Sequence, residues 1–200
     1  AVALRCDLTD AAAVDAAVQR VAGELGGLDI AVNNAGIGAV GDVAANSDAE
    51  WARVLDVNVT AVARVSRAAL PHLRRSRHAA IVNVCSAVAH VGVRQRALYS
   101  ASKGAIEALT LAMAADHVGE GVRVNAVSPG TADTAWVARL LERASDPEAD
   151  REALRARQPL GRLVSADEVA FAITCLASPL AAATTGTILR VDGGMTTLRL

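Results

Sequence analysis

Short runs rich in β-branched residues, at 2–6, 28–33, 80–85, 122–127 and 187–191, alternate along this chain with segments of helical period. Runs that are apolar at nearly every position are buried on both faces, as in parallel sheets, and each parallel strand needs a crossover helix to reach its neighbour. The alternation therefore predicts an α/β fold, a doubly wound parallel sheet held between two helical layers, three layers in all. Helix limits are readable too. A helix over 9–25 is stopped by Gly26-Gly27, and Gly119 and Gly121 close another over 99–118. Ser47-Asp48-Ala49-Glu50 and Ser165-Ala166-Asp167-Glu168 have capping-box spacing. The first opens a long helix to about Arg75, with a kink or break expected at Pro71. A chain of 200 residues needs only one domain, 1–200.

The chemistry-bearing feature is a pair. The chain holds one tyrosine and one lysine, four residues apart in Tyr99-Ser100-Ala101-Ser102-Lys103. On a helix these positions share a face, so an ammonium stands beside a phenol and favours phenolate. That would draw Tyr99 down from a phenol's ordinary pKa of about 10 toward the range of a proton-transfer group. A plain surface helix pair is the alternative. Ser86 bears on the choice, because it ends the run 80–85, and α/β sheets bind ligands just outside the carboxyl ends of their strands. There it could donate to the oxygen that Tyr99 protonates. Its alternative is a turn serine.

In order along the chain, Asn33-Asn34-Ala35-Gly36, Asn58, Ser86, Tyr99 with Lys103, and Pro129-Gly130 followed by Thr134 resemble the pattern of the classical short-chain dehydrogenase/reductase family. The nearest branch is that of hydroxybutyrate and 2-keto-3-deoxy-sugar-acid dehydrogenases. The resemblance implies a Rossmann-like fold and reversible hydride transfer between a nicotinamide and a secondary alcohol or ketone. Either NAD or NADP would serve, with NAD favoured by the branch. Asn58, Ser86, Tyr99 and Lys103 would be catalytic. Asn58 would hold a water joining Lys103 to solvent; a polar residue facing solvent from a helix is the alternative. Asp7 would contact the adenine ring, and Asn34, Ala35 and Gly36 the adenosine ribose. Lys103, beside Tyr99, would hold the nicotinamide ribose. The loop Pro129-Gly130-Thr131-Ala132-Asp133-Thr134 would grip the carboxamide, opening a substrate loop over about 130–163.

Beside Ser86 and Tyr99, three arginines surround the predicted cleft: Arg96, Arg139 and Arg157. Guanidinium forks match carboxylates, which points to a small hydroxy acid or sugar acid. In the branch the middle arginine can stand one position later, where this chain has Leu140. Solvated surface charges are the alternative for all three.

No glycine-rich phosphate loop follows the first strand. The opening resembles the family's third strand, so a βαβ unit and its return helix, on the order of 50 residues, are expected to be missing. Residues 2–6 should then either pair directly with 28–33 or rest on a helix beside an exposed sheet edge. Weak or absent dinucleotide affinity follows.

A net charge of −1 leaves no basic patch for nucleic acid, and no apolar stretch reaches the roughly 18 residues of a membrane span. Cys6, Cys85 and Cys175 lack metal or disulfide spacing, which suits reduced thiols in the cytoplasm. His72, His78, His90 and His117 show no ligand spacing either, so no metal is expected and surface or satisfied positions are. The resemblance implies a homo-oligomer, a dimer or homotetramer, and a small-molecule substrate. Two other readings stay open: a non-catalytic member that associates with longer relatives, and a sugar-nucleotide epimerase or dehydratase.

Overall fold

The computed structural model describes residues 1–134, 137–138, 141–142 and 146–199. Four parallel strands form the main sheet, in the order β1 (Ile30–Asn33), β2 (Ala80–Val84), β3 (Arg123–Pro129) and β6 (Ile188–Val191). Beyond the carboxyl end of β3, β4 (Ala132–Asp133) pairs with β5 (Val164–Ser165).

The helices are α1 (Ala11–Leu25), α2 (Asp48–Leu55), α3 (Ala61–Leu73), α4 (Ala97–His117), α5 (Pro147–Ala156) and α6 (Ala166–Ala177). Successive strand residues point to opposite faces, and both faces are used. Ile81 and Val124 pack against Ala69 and Leu73 of α3 and Met113 of α4, while Val82 and Val127 pack against Ala172 and Leu176 of α6. With one Phe and two Trp in the chain, the core is Ala, Val, Leu and Ile, each large side chain contributing about 1.5–3 kcal/mol on full burial.

A polar ladder crosses this core. Asn33 and Asn83 are register partners on β1 and β2, and the Asn33 amide donates to Asn83 Oδ1 at 2.8 Å and to Ser66 Oγ of α3 at 3.2 Å. The Asn83 amide in turn donates to Thr110 Oγ1 of α4 at 2.9 Å. A one-residue slip would point these amides at the opposite face, so the ladder fixes how far β1 and β2 project toward the loops that follow them.

Caps form where the spacing predicts them. Ser165 and Glu168 make a full capping box. Ser47 accepts from Glu50 N, but the Glu50 carboxylate takes its proton donor from Asn46 instead, so that box is half made.

Two expectations are corrected. Residues 2–6 are not a strand: the side chains of Val2, Leu4 and Cys6 face α1 and β1 across an apolar hollow of about 320 Å³, and β1 is left as an edge with Ile30 and Val32 exposed on one face. Apolar contact with α1 supplies burial without strand pairing. The helix from Ser47 runs on to Leu73 without a break at Pro71, which lies near the end of α3, where the helix stops two residues later. Its one irregularity is a π-helical turn, Asp56–Thr60, joining α2 to α3.

Candidate active site

The π-turn places Asn58 inward, 1% exposed. Its Oδ1 accepts from Ile37 N at 2.8 Å, and its amide donates to Ile37 O at 2.9 Å and to Ser102 Oγ at 3.0 Å. Ser102 donates to the Tyr99 carbonyl at 2.8 Å, so one side chain ties the loop after β1 to the start of α4. The solvent-facing alternative for Asn58 is thereby corrected.

Tyr99 and Lys103 lie one turn apart on α4, with Lys103 Nζ 5.8 Å from the centre of the phenol ring. Lys103 is 5% exposed and donates to Val84 O, the last residue of β2, at 2.9 Å. Ser86 caps a 3-10 turn, Ala87–Ala89, its hydroxyl accepting from Val88 N at 3.4 Å.

The electrostatics run against the simple helix-pair argument. Burial pushes the Tyr99 phenol above its ordinary value; hydrogen bonding to Ser86 and the Arg96 charge pull the other way and do not prevail. Burial likewise lowers Lys103. Spacing alone predicts an acidified tyrosine, but desolvation disfavours phenolate more than these partners favour it. Burial thus favours the protonated phenol at Tyr99. Behind it, burial pushes the Cys85 thiol up to about 12.

Ser86, Tyr99 and Lys103 open onto one pocket of about 260 Å³ at the carboxyl ends of the strands, whose wall Asn58 does not reach. Ser86, Tyr99, Lys103 and Arg96 line it, as do Asn34, Gly36, Pro129, Gly130, Thr131, Ala132, Thr134 and Arg157. Two glycines let backbone come close. A Cβ on Gly36 would lie 3.2 Å from Asn58 Oδ1 and 3.5 Å from Lys103 Nζ, and one on Gly130 would collide with Gln158 Oε1 and the backbone of Asp192. Both glycines thus allow close packing within the protein around the pocket. The pocket is just below the roughly 300–1,000 Å³ usual for ligand sites.

Arg96 enters α4 after Gln95, whose φ of 58° is left-handed and strained for a side-chain-bearing residue. Arg96 is half-buried, its guanidinium made less basic by burial and then by the nearby Arg157 charge. Arg157 is exposed, and Arg96 Nη1 donates to the Ala39 and Gln95 carbonyls at 3.3 Å. Arg139 and Leu140 lie outside the described residues.

Not every expected residue reaches the pocket. Asp7 is exposed and absent from its wall; its carboxylate accepts from Thr9 N and Thr9 Oγ1 at 2.9 and 2.8 Å. Ala35 is also absent from the wall, between Asn34 and Gly36, which line it. Unexpected in the sequence were Gln158, 1% exposed and donating to Thr131 O and Arg162 O, and a contact between His90 and Glu107. The only sequence signal for the latter is that Glu107 lies one turn past Lys103. Among the described residues no group of three or more His, Cys, Asp or Glu could hold a metal, and no helix is long and apolar enough to cross a membrane.

The parallel sheet carries a phenol, a hydroxyl and an ammonium at its carboxyl edge, where open α/β folds bind ligands. Comparison with known proteins makes this specific. Residues 1–196 match the family model described as enoyl-(acyl carrier protein) reductase, and the chain belongs to the short-chain dehydrogenase/reductase family. It is 43% identical over 194 residues to cis-4-hydroxycyclohexanecarboxylate dehydrogenase of Sinomonas cyclohexanicum, covering 96% of this chain and 76% of that protein. It is 42% identical over 193 residues to inactive 2-(S)-hydroxypropyl-CoM dehydrogenase 2 of Xanthobacter autotrophicus, covering 96% and 84%. The ligand-free structure of Thermoplasma acidophilum aldohexose dehydrogenase superposes with a TM-score of 0.93 at 35% identity, covering 98% and 78%.

Proposed function

We propose that this chain is a nicotinamide-dependent dehydrogenase/reductase acting on a secondary alcohol or ketone that carries an anionic group, such as a small hydroxy acid or sugar acid. One observation carries the reading: Ser86, Tyr99 and Lys103 share a pocket with two arginines, Arg96 and Arg157. The relative named for cis-4-hydroxycyclohexanecarboxylate supports it, because that compound is a secondary alcohol bearing a carboxylate.

Lys103, Tyr99, Pro129, Gly130, Ala132 and Thr134 would hold the nicotinamide end, with Asp7, Asn34, Ala35 and Gly36 toward the adenosine end. When bound, NAD or NADP supplies or accepts the hydride; NAD is favoured by the branch resemblance alone. Tyr99, kept neutral by burial, donates its proton to a carbonyl oxygen as negative charge develops there, and Ser86 donates a hydrogen bond to the same oxygen. Asn58 holds the loop after β1 against α4, where a water could pass the replacement proton to Lys103. Arg96 and Arg157 anchor the anion and so orient the reacting carbon. The assembly is a homo-oligomer.

The test, made on the chain preceded by a glycine-rich phosphate-loop segment of the family so that cofactor can bind, is oxidation of hydroxy acids and of neutral secondary alcohols with NAD+ and NADP+, followed by nicotinamide absorbance. Arg96→Met should raise KM for the acids far more than for the neutral alcohols, and Tyr99→Phe should abolish both. Equal KM effects on acid and neutral substrates would remove the anionic-substrate reading. A second reading, a non-catalytic family member, is favoured by the 42% identical relative that is called inactive. Its signature is no turnover with any of these substrates together with stable association with a longer homologue.

A further inference from the structure

Ser86 and His90 are the two caps of one rigid unit, the 3-10 turn Ala87–Ala89, with Ala89 N donating to Ser86 O and His90 N to Ala87 O, each at 3.0 Å. This turn packs along α4. At its far end His90 Nε2 stands 2.8 Å from Glu107 Oε1. The two atoms are not aligned as a full hydrogen bond, yet both are sealed from solvent and neither has any other partner. A carboxylate oxygen so enclosed needs a proton-bearing neighbour; the Nε2–H of His90 is within reach, and the Cys85 thiol also faces Glu107.

Glu107 lies eight residues beyond Tyr99 on α4, about 12 Å along the helix at about 1.5 Å per residue. The turn therefore meets α4 at Glu107 through His90, while Ser86 at its other end shares the pocket wall with Tyr99. Between His90 and Arg96 the chain makes an irregular loop with the left-handed Gln95, whose carbonyl accepts from Gly41 N at 3.1 Å.

We propose that His90 and Glu107 are positioning residues, a pair that pins the Ser86-bearing turn to α4 at the height that presents the Ser86 hydroxyl to Tyr99. The proposal rests on the reading of Ser86 and Tyr99 given above and adds what holds them together. Neither His90 nor Glu107 lines the pocket, so neither touches substrate.

Because the chain has one tyrosine, alkaline titration of phenolate absorbance reads Tyr99 alone, without substrate or turnover. Ser86→Ala should raise that titration, since it removes a hydrogen bond that favours phenolate. If the pair positions Ser86, His90→Ala and Glu107→Ala should each raise it by about the same amount as Ser86→Ala, and should add nothing in the Ser86→Ala background. His90→Gln, which keeps an N–H for Glu107, should restore the parent titration. A pair acting only through charge would give the opposite sign for Glu107→Ala, since loss of a nearby anion favours phenolate. A pair serving only stability would lower Tm and leave the titration unmoved. Either result overturns the inference. Where His90→Ala strands the Glu107 carboxylate and unfolds the protein, His90→Ala/Glu107→Ala removes both groups and is read the same way. If Ser86→Ala itself fails to move Tyr99, the active-site reading falls. If Ser86→Ala moves it and the His90 and Glu107 variants do not, only the pair falls.

Discussion

Replacing Asn58 by alanine tests how the site is built. Its side chain makes three hydrogen bonds, with Ile37 N, Ile37 O and Ser102 Oγ, at 2.8–3.0 Å, and is 1% exposed. Alanine leaves both Ile37 backbone groups and one serine lone pair without that partner in a site closed to solvent. At about 1 kcal/mol for each net hydrogen bond, and somewhat more for stranded buried groups, Asn58→Ala should cost about 3–4 kcal/mol. In a chain of this size that is a fall in Tm of roughly 6–15 °C. Asn58→Asp should recover little, because a carboxylate still accepts from Ile37 N but faces Ile37 O without a donor. Urea denaturation of the parent and both variants measures the cost as a shift in midpoint at constant slope. A loss of about 0.5 kcal/mol or less for Asn58→Ala would refute the claim that this side chain joins the β1 loop to α4.

Three further outcomes follow. Glu168 has its carboxyl pulled down to about 2 by Arg162 and by Ser165 N, so its contribution is present above the ordinary glutamate value and lost as pH falls toward 2. Glu168→Gln should therefore flatten the acid limb of the stability profile between about pH 4.5 and 2; an unchanged limb would show that the carboxyl is not held down. Cys175 is exposed and Cys85 buried with its thiol raised to about 12, so a thiol reagent at neutral pH should label Cys175 quickly and Cys85 only on unfolding. Rapid labelling of native Cys85 would contradict the burial assigned to the pocket's back wall. Arg123 donates to the carbonyls of Leu176, Ala177, Ser178 and Thr184, closing the end of α6; Arg123→Met should destabilise by about 2–4 kcal/mol in the same urea assay, and no change would show those carbonyls are satisfied by water.

The residues that carry this site were legible to different depths. The runs leading to Ser86 and Pro129 announce buried parallel strands because most positions are apolar or β-branched, with Asn83, Arg123 and Asn125 the exceptions. Residues 2–6 carry the same pattern without being a strand, since apolar character reports burial and cannot report a hydrogen-bonding neighbour. Asn58 was legible as a residue of interest, but the π-turn that turns it inward has no sequence signature. The spacing of Tyr99 and Lys103 set their proximity correctly and the direction of the phenol's shift wrongly, because desolvation is a property of what surrounds the pair. His90 and Glu107 stand seventeen residues apart (107 − 90), and nothing local links them until the turn after β2 is laid along α4.

The account turns on Tyr99 as a buried, neutral proton donor sharing its oxygen with Ser86. The alkaline phenolate titration of the parent chain reads this group by itself. A single transition above that of a free phenol, moving still higher in Arg96→Met as a favourable cation is lost, is the result expected. A transition at the free-phenol value, unmoved by Arg96→Met, would place the ring in open solvent and contradict the site.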